Sequence, residues 1–151
     1  MQQAVRLEDG GWEIREAAKE LKPNDVNVFV IQGLDFFAEV PTLEDQMPSA
    51  RGVSNAVVVL VLRDMHKVTS TAIRWIERYA KDLKANGNLL MLADVNPAVV
   101  DVMKKSGALD SVGEQNVFPA TSRVLDAERQ AWDAAQQWLK QQSAAGEGTG
   151  S

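Results

Sequence analysis

The stretch Ala56-Val57-Val58-Val59-Leu60-Val61-Leu62 carries no polar residue at any position. It is the longest apolar run in the chain, and it falls far short of the roughly 20 residues that a membrane-spanning helix needs. An apolar run without polar alternation is how a strand buried on both faces reads, and such strands lie inside parallel sheets covered by helices on both sides. This run therefore demands a layered α/β domain with itself as the central strand.

The flanking segments supply the other layers. Lys22-Pro23-Asn24-Asp25 breaks the chain before Val26, Val28, Val30 and Ile31, a β-branched strand that ends at Gly33. A helix is predicted from about Ser70 to Asn86, with Ala72, Ile73, Ile76, Tyr79, Ala80 and Leu83 on one face. Glu77/Lys81 and Arg78/Asp82 form i,i+4 pairs on its other face. Asn86-Gly87 ends the helix, and Leu89 to Ala93 forms the next buried strand. Asn96 is a good N-cap with Pro97 at the first helical position. Val99, Val102 and Met103 then make an apolar stripe, and Gly107 stands where a left-handed cap belongs. Asn116 to Pro119 reads as a short edge strand. Ser122 can cap a last helix reaching about Gln142, lined by Val124, Leu125, Ala131, Trp132, Ala135, Trp138 and Leu139. Ala4 to Glu16 reads as a hairpin turning at Glu8-Asp9-Gly10-Gly11, and Thr42 to Gln46 as a short acidic helix closed by Pro48. The expected architecture is a mostly parallel central sheet flanked by about four helices. Residues 1–21 would form an N-terminal extension or hairpin, 22–142 the domain, and 143–151 a disordered tail.

Composition narrows the function. A chain of 151 residues with 45% hydrophobic content has the material for one buried core. A formal charge of −5 disfavours nucleic acid, whose capture needs clustered Lys and Arg. The chain has no cysteine, which removes disulfides, thiolate zinc sites and cysteine nucleophiles, and its single histidine, His66, rules out a His-based metal site within one chain. Neither Gly-x-Gly-x-x-Gly nor Gly-Lys-Ser/Thr occurs, so the usual backbone cradles for dinucleotides and nucleoside phosphates are missing. No cofactor and no metal are expected. Met1 to Leu7 lacks the apolar core of a secretory signal, and the cytoplasm is the expected compartment.

Four segments in order resemble the STAS domain, the sulfate transporter and anti-sigma factor antagonist family. They are Val26 to Phe37 (VNVFVIQGLDFF), Ala56 to Ile73 (AVVVLVLRDMHKVTSTAI), Leu89 to Ala108 (LLMLADVNPAVVDVMKKSGA) and Gly113 to Thr121 (GEQNVFPAT). The resemblance spans about Val26 to Leu139 and is closest to the C-terminal cytoplasmic domains of bacterial SulP-type anion transporters, with a flavour of cyanobacterial bicarbonate transporters. It implies an α/β STAS fold and a non-catalytic regulatory or interaction role in the transport of bicarbonate or sulfate. The implied partners are the membrane domain of the same transporter, a second copy in a homodimer, and a cytoplasmic regulatory protein. In free-standing relatives, the anti-sigma factor antagonists, the signature helix begins Asp-Ser-Ser/Thr-Gly and its first Ser is phosphorylated. Here Thr69, Ser70, Thr71 and Ala72 stand in that place, so the Asp and the Gly are both replaced. A phosphorylation-switched antagonist acting through Ser70 is the alternative function.

Each candidate residue has a plain reading beside the functional one. Thr69-Ser70-Thr71 can simply cap the helix, at about 1 kcal/mol, or can form part of a partner-binding loop with Asp64 and His66. Asp64 and His66 follow the central strand, where open α/β sheets place ligand sites. As an acid/base pair they have no nucleophile or oxyanion donors around them, and a solvated loop pair is the simpler reading. Phe36 and Phe37 follow a strand, so one points inward and the other outward. Trp132, Trp138 and Leu139 on the last helix serve either the core or, if the helix overhangs its sheet, an interface.

Overall fold

The computed structural model describes residues 2–9, 11–16, 20–31, 47–62, 69–121 and 126–149. The strand end at Gly33, the Phe36-Phe37 pair, the helix expected at Thr42 to Gln46, the Asp64 and His66 loop, and Ser122, Val124 and Leu125 lie outside these residues.

Six strands form one sheet: β1 (Gln2–Arg6), β2 (Trp12–Glu16), β3 (Val26–Val30), β4 (Val57–Val61), β5 (Leu89–Val95) and β6 (Val117–Pro119). Their spatial order is β2-β1-β3-β4-β5-β6. From β3 onward every pairing is parallel, while β1 pairs antiparallel with both β2 and β3. The architecture is thus an α/β sheet with a parallel heart and an antiparallel edge, and the hairpin continues the domain's own sheet. Among the described residues four α-helices cover it: α1 (Ser70–Ala85), α2 (Pro97–Ser106), α3 (Ala108–Val112) and α4 (Asp126–Thr149).

The period-two geometry of strands sorts the side chains into two cores. Phe29, Ile31, Val58, Leu60, Leu62, Leu90 and Leu92 face α1, α2 and α3 through Ile76, Leu83, Met103 and Leu109. Val26, Val28, Val57, Val59, Val61, Met91 and Ala93 face α4, whose Ala131 and Ala135 are fully buried. Small residues there let the helix backbone approach the sheet closely. All of β4 is buried, as its unbroken apolar run requires.

Two elements differ from the sequence reading. Leu109 and Val112 are buried in α3, a short helix that restarts straight after Gly107, where the pattern was expected only to end α2. The last helix continues past Gln142 to Thr149, into the tail expected to be disordered. Extending an existing helix through Ala144 and Ala145 adds one backbone bond per residue ordered, without a new nucleation cost.

Candidate functional site

The parallel strands all run the same way, so their C-terminal ends gather at one rim, and the helices that follow begin there. At this rim the ladder extends slightly past the strands: Ile31 N–H donates to Val61 O and Leu62 N–H to Ala93 O, each at 3.0 Å. A bulge between Ala93 and Val95 leaves Asp94 with φ 57, a left-handed conformation uncommon outside glycine, asparagine and aspartate.

Thr69 is the N-cap of α1. Its extended backbone aims Oγ1 to accept from the Ala72 N–H at 3.1 Å, and Ile73 N–H reaches Thr69 O at 3.0 Å. The capping reading of Thr69 is therefore realised, and its hydroxyl is engaged in structure. Ser70 and Thr71, the first two residues of the helix, are exposed at its positive end. Asn96 caps α2 at the same rim by accepting from Ala98 N–H at 2.9 Å. Chemically the described part of this rim offers exposed hydroxyls beside oriented amides, suited to hydrogen bonding with a partner. Among the described residues no group of three His, Cys, Asp or Glu comes together to hold a metal ion.

The other predicted residues lie on the opposite face of the sheet. Trp132 is half-buried, with its ring edge-to-face against Trp12 at 5.0 Å and 82°. Trp138 and Leu139 are also half-buried and pack on the second core. Of the two readings of Trp138 and Leu139, core or interface, their packing fits the core one, since this part of α4 lies over the sheet.

Two features escaped the sequence reading. Trp75 is buried and stacks on Tyr79 (5.5 Å, 10°) beside a surface groove of about 400 Å³ that Arg51 and Arg78 also line. Tyr79 donates its hydroxyl to Pro48 O at 3.0 Å, and burial pushes its ionisation well above the usual phenol range. The i,i+4 spacing of Trp75 and Tyr79 was the available signal. The second feature is the exposed apolar pair Trp12 and Ile14 on the outermost described strand: the hairpin could be read from its turn residues, but its edge position could not.

Comparison with known proteins agrees with this geometry. A chain described as "Crystal structure of sulfate transporter family protein from Wolinella succinogenes" superposes with a TM-score of 0.56 at 16% identity, covering 81% of this chain and 93% of that one. That likeness shows the fold. No curated protein sequence matches the chain. The STAS domain family model matches residues 17–123, which takes in β3 to β6 and α1 to α3. The chain belongs to the STAS domain family.

Proposed function

We propose that this STAS domain is a non-catalytic interaction module of a SulP-type anion transporter, acting through its surfaces on transporter assembly or activity. The observation that carries the reading is the family match over residues 17–123, and the fold shared with a protein titled as a sulfate transporter family member supports it. No described helix is long and apolar enough to cross a membrane, so in this reading the membrane part is a separate segment. The domain would act by differential contact, since a module shifts a transporter's equilibrium only as far as it binds one state better than another. Bicarbonate or sulfate is the proposed cargo, and the rim loop around Thr69 to Thr71 is the proposed contact surface for a cytoplasmic partner.

Fractionation of the native cells tests this, with an antibody to the domain reporting the mass of the endogenous protein. A membrane-bound band several times heavier than 16.5 kDa is expected. Anion uptake with and without the domain then measures its effect. A water-soluble band near the chain's own mass would sink the reading.

That second result would favour the phosphorylation-switched antagonist, for which one observation speaks: Ser70 is exposed at the first position of α1, where a phosphate would sit at the positive end of the helix. Against it stands Thr69, which occupies the place of the family's Asp. Incubation with a cognate kinase and no mass gain at Ser70 would remove it.

A further inference from the structure

The cations of the chain are concentrated on one side of the sheet. α1 and α2 hold six Lys or Arg against three Asp or Glu, a net +3, in a chain of net −5, so all the rest carries −8. Both helices bury their inner sides in the same core, α1 through Ile76 and Leu83 and α2 through Val99 and Met103, so their outer sides belong to one surface of the molecule.

Helical spacing sorts the charges on α1. Arg74, Arg78, Lys81 and Ala85 are all exposed and follow one another at steps of three and four residues, a stripe about 16 Å long opposite the buried side. No acidic residue lies on that stripe. Glu77 is half-buried at one flank, and Asp82 stands at the other, on the lip of the groove that Arg51 and Arg78 also line. Arg74, Lys81 and Lys84 form no ion pair with any described residue, so the i,i+4 spacing of Glu77 and Lys81 does not neutralise Lys81. On α2, Lys104 and Lys105 are exposed in the last turn, and Val102, one turn before Lys105, is an exposed large apolar side chain.

We propose that this outer face of α1 and α2 rests on a bilayer surface of anionic lipid headgroups. The cytoplasmic leaflet of a membrane carries a negative surface potential that attracts Lys and Arg held close to it and fades within a Debye length, about 8 Å at physiological salt. The acidic charge of α4, a net −2, lies on the opposite face of the sheet and is screened from such a contact. A protein partner would call for apolar or aromatic anchors at the centre of the contact, and the exposed stripe of α1 has none. A lipid surface needs only the charge, and its headgroup region accepts Val102 as well. The proposal rests on the transporter reading only in that the transporter brings the domain to a bilayer.

Co-sedimentation of the 151-residue chain with vesicles at low salt tests the face without calling on a membrane domain. Binding is expected to vesicles of equal parts phosphatidylcholine and phosphatidylglycerol, none to phosphatidylcholine alone, and release at high salt. Arg74→Gln combined with Lys81→Gln is expected to weaken binding about tenfold or more. Arg129→Gln combined with Lys140→Gln removes the same charge from exposed positions of α4 and should leave binding unchanged. All four side chains are exposed, so unchanged circular dichroism is expected of both variants. Three results would each overturn the proposal: no binding to the anionic vesicles, an equal loss in both double variants, or retention on immobilised polyglutamate while the vesicles stay unbound, which would assign the face to an acidic protein. The two readings fail separately. A heavy membrane-bound native band with no vesicle binding would keep the transporter and overturn the lipid face, whereas vesicle binding by a chain whose native form is water-soluble would keep the face and remove the transporter.

Discussion

Asn86 and Asn88 flank Gly87 and do different work. Asn86 is exposed, with Nδ2 donating to Asp82 O at 2.8 Å. Asn88 is buried, its Oδ1 accepting from Ala56 N–H at 2.9 Å and its Nδ2 donating to Val53 O at 2.8 Å, so one amide ties the start of β4 to the start of β5. Removing it leaves the buried Ala56 N–H and the part-buried Val53 C=O without these partners, at about 1–3 kcal/mol for the buried group and less for the other. Asn88→Ala is therefore expected to lower stability by about 3 kcal/mol, and Asn86→Ala by under about 1 kcal/mol, read as midpoints of urea unfolding at equal m. The sequence marks both as turn residues, because a satisfied buried amide differs from a solvated one only in long-range partners. Tyr79 adds a pH dependence. Its ionisation is raised in the folded state, so its contribution is fully present below the unfolded value near 10.0 and is lost as pH rises beyond it. Tyr79→Phe should cost about 1 kcal/mol at neutral pH for the lost bond to Pro48 O, and should flatten the alkaline decline in stability measured from pH 9 upward.

At the scale of elements, segments with strong local signals came through and those without did not. The predicted helix at Ser70 to Asn86, the caps Asn96 and Gly107, and the strand at Leu89 each rest on contacts within a few residues, and each is present with its ends shifted by little. The short helix α3 was missed because Ala108–Val112 is too brief to show a period. It is held by two glycines and by burial of Leu109 and Val112. Gly107 has φ 85, and a Cβ there would meet nothing within 4 Å, so Gly107→Ala should cost only the backbone strain, about 1–2 kcal/mol. Gly113 has φ 97, and its added Cβ would lie 2.8 Å from Nδ2 of Asn116, which is buried and donates to Val112 O. Gly113→Ala should therefore be the worse of the two, with the difference visible as a lower thermal midpoint under identical conditions. Equal effects would show that α3 yields to accommodate the Cβ. The rim site divides along the same line: the Thr69 cap was readable from the residues, whereas the left-handed Asp94 follows from the β5–β6 register, which no local pattern encodes.

At the scale of the whole molecule, the family match begins at residue 17, yet the sheet does not. The sequence reading set 1–21 apart because a hairpin shows its own turn chemistry but not which strand it joins. In the structure β1 covers β3 through pairs such as Ala4 with Val28, while Trp12 of β2 reaches Trp132 on α4. The hairpin thus shields the edge of the parallel core and ties the sheet to the helix that crosses its far side. Deleting residues 2–16 would leave β3 with a bare edge while Val26, Val28 and Phe29 still need cover. The shortened chain is expected to lose on the order of 2–4 kcal/mol, from partial exposure of a few apolar side chains. It should also show concentration-dependent aggregation by light scattering, since the exposed strand is as long as β2 and more apolar. Placing Lys at Asn27 would not protect that edge, because the Asn27 side chain is buried and bonded to Lys22, Asp25 and Val57 rather than facing outward. A shortened chain as stable and as monodisperse as the full one would mean that β3 is sufficient as a terminal strand, and that the hairpin's role lies in what it presents outward at Trp12 and Ile14.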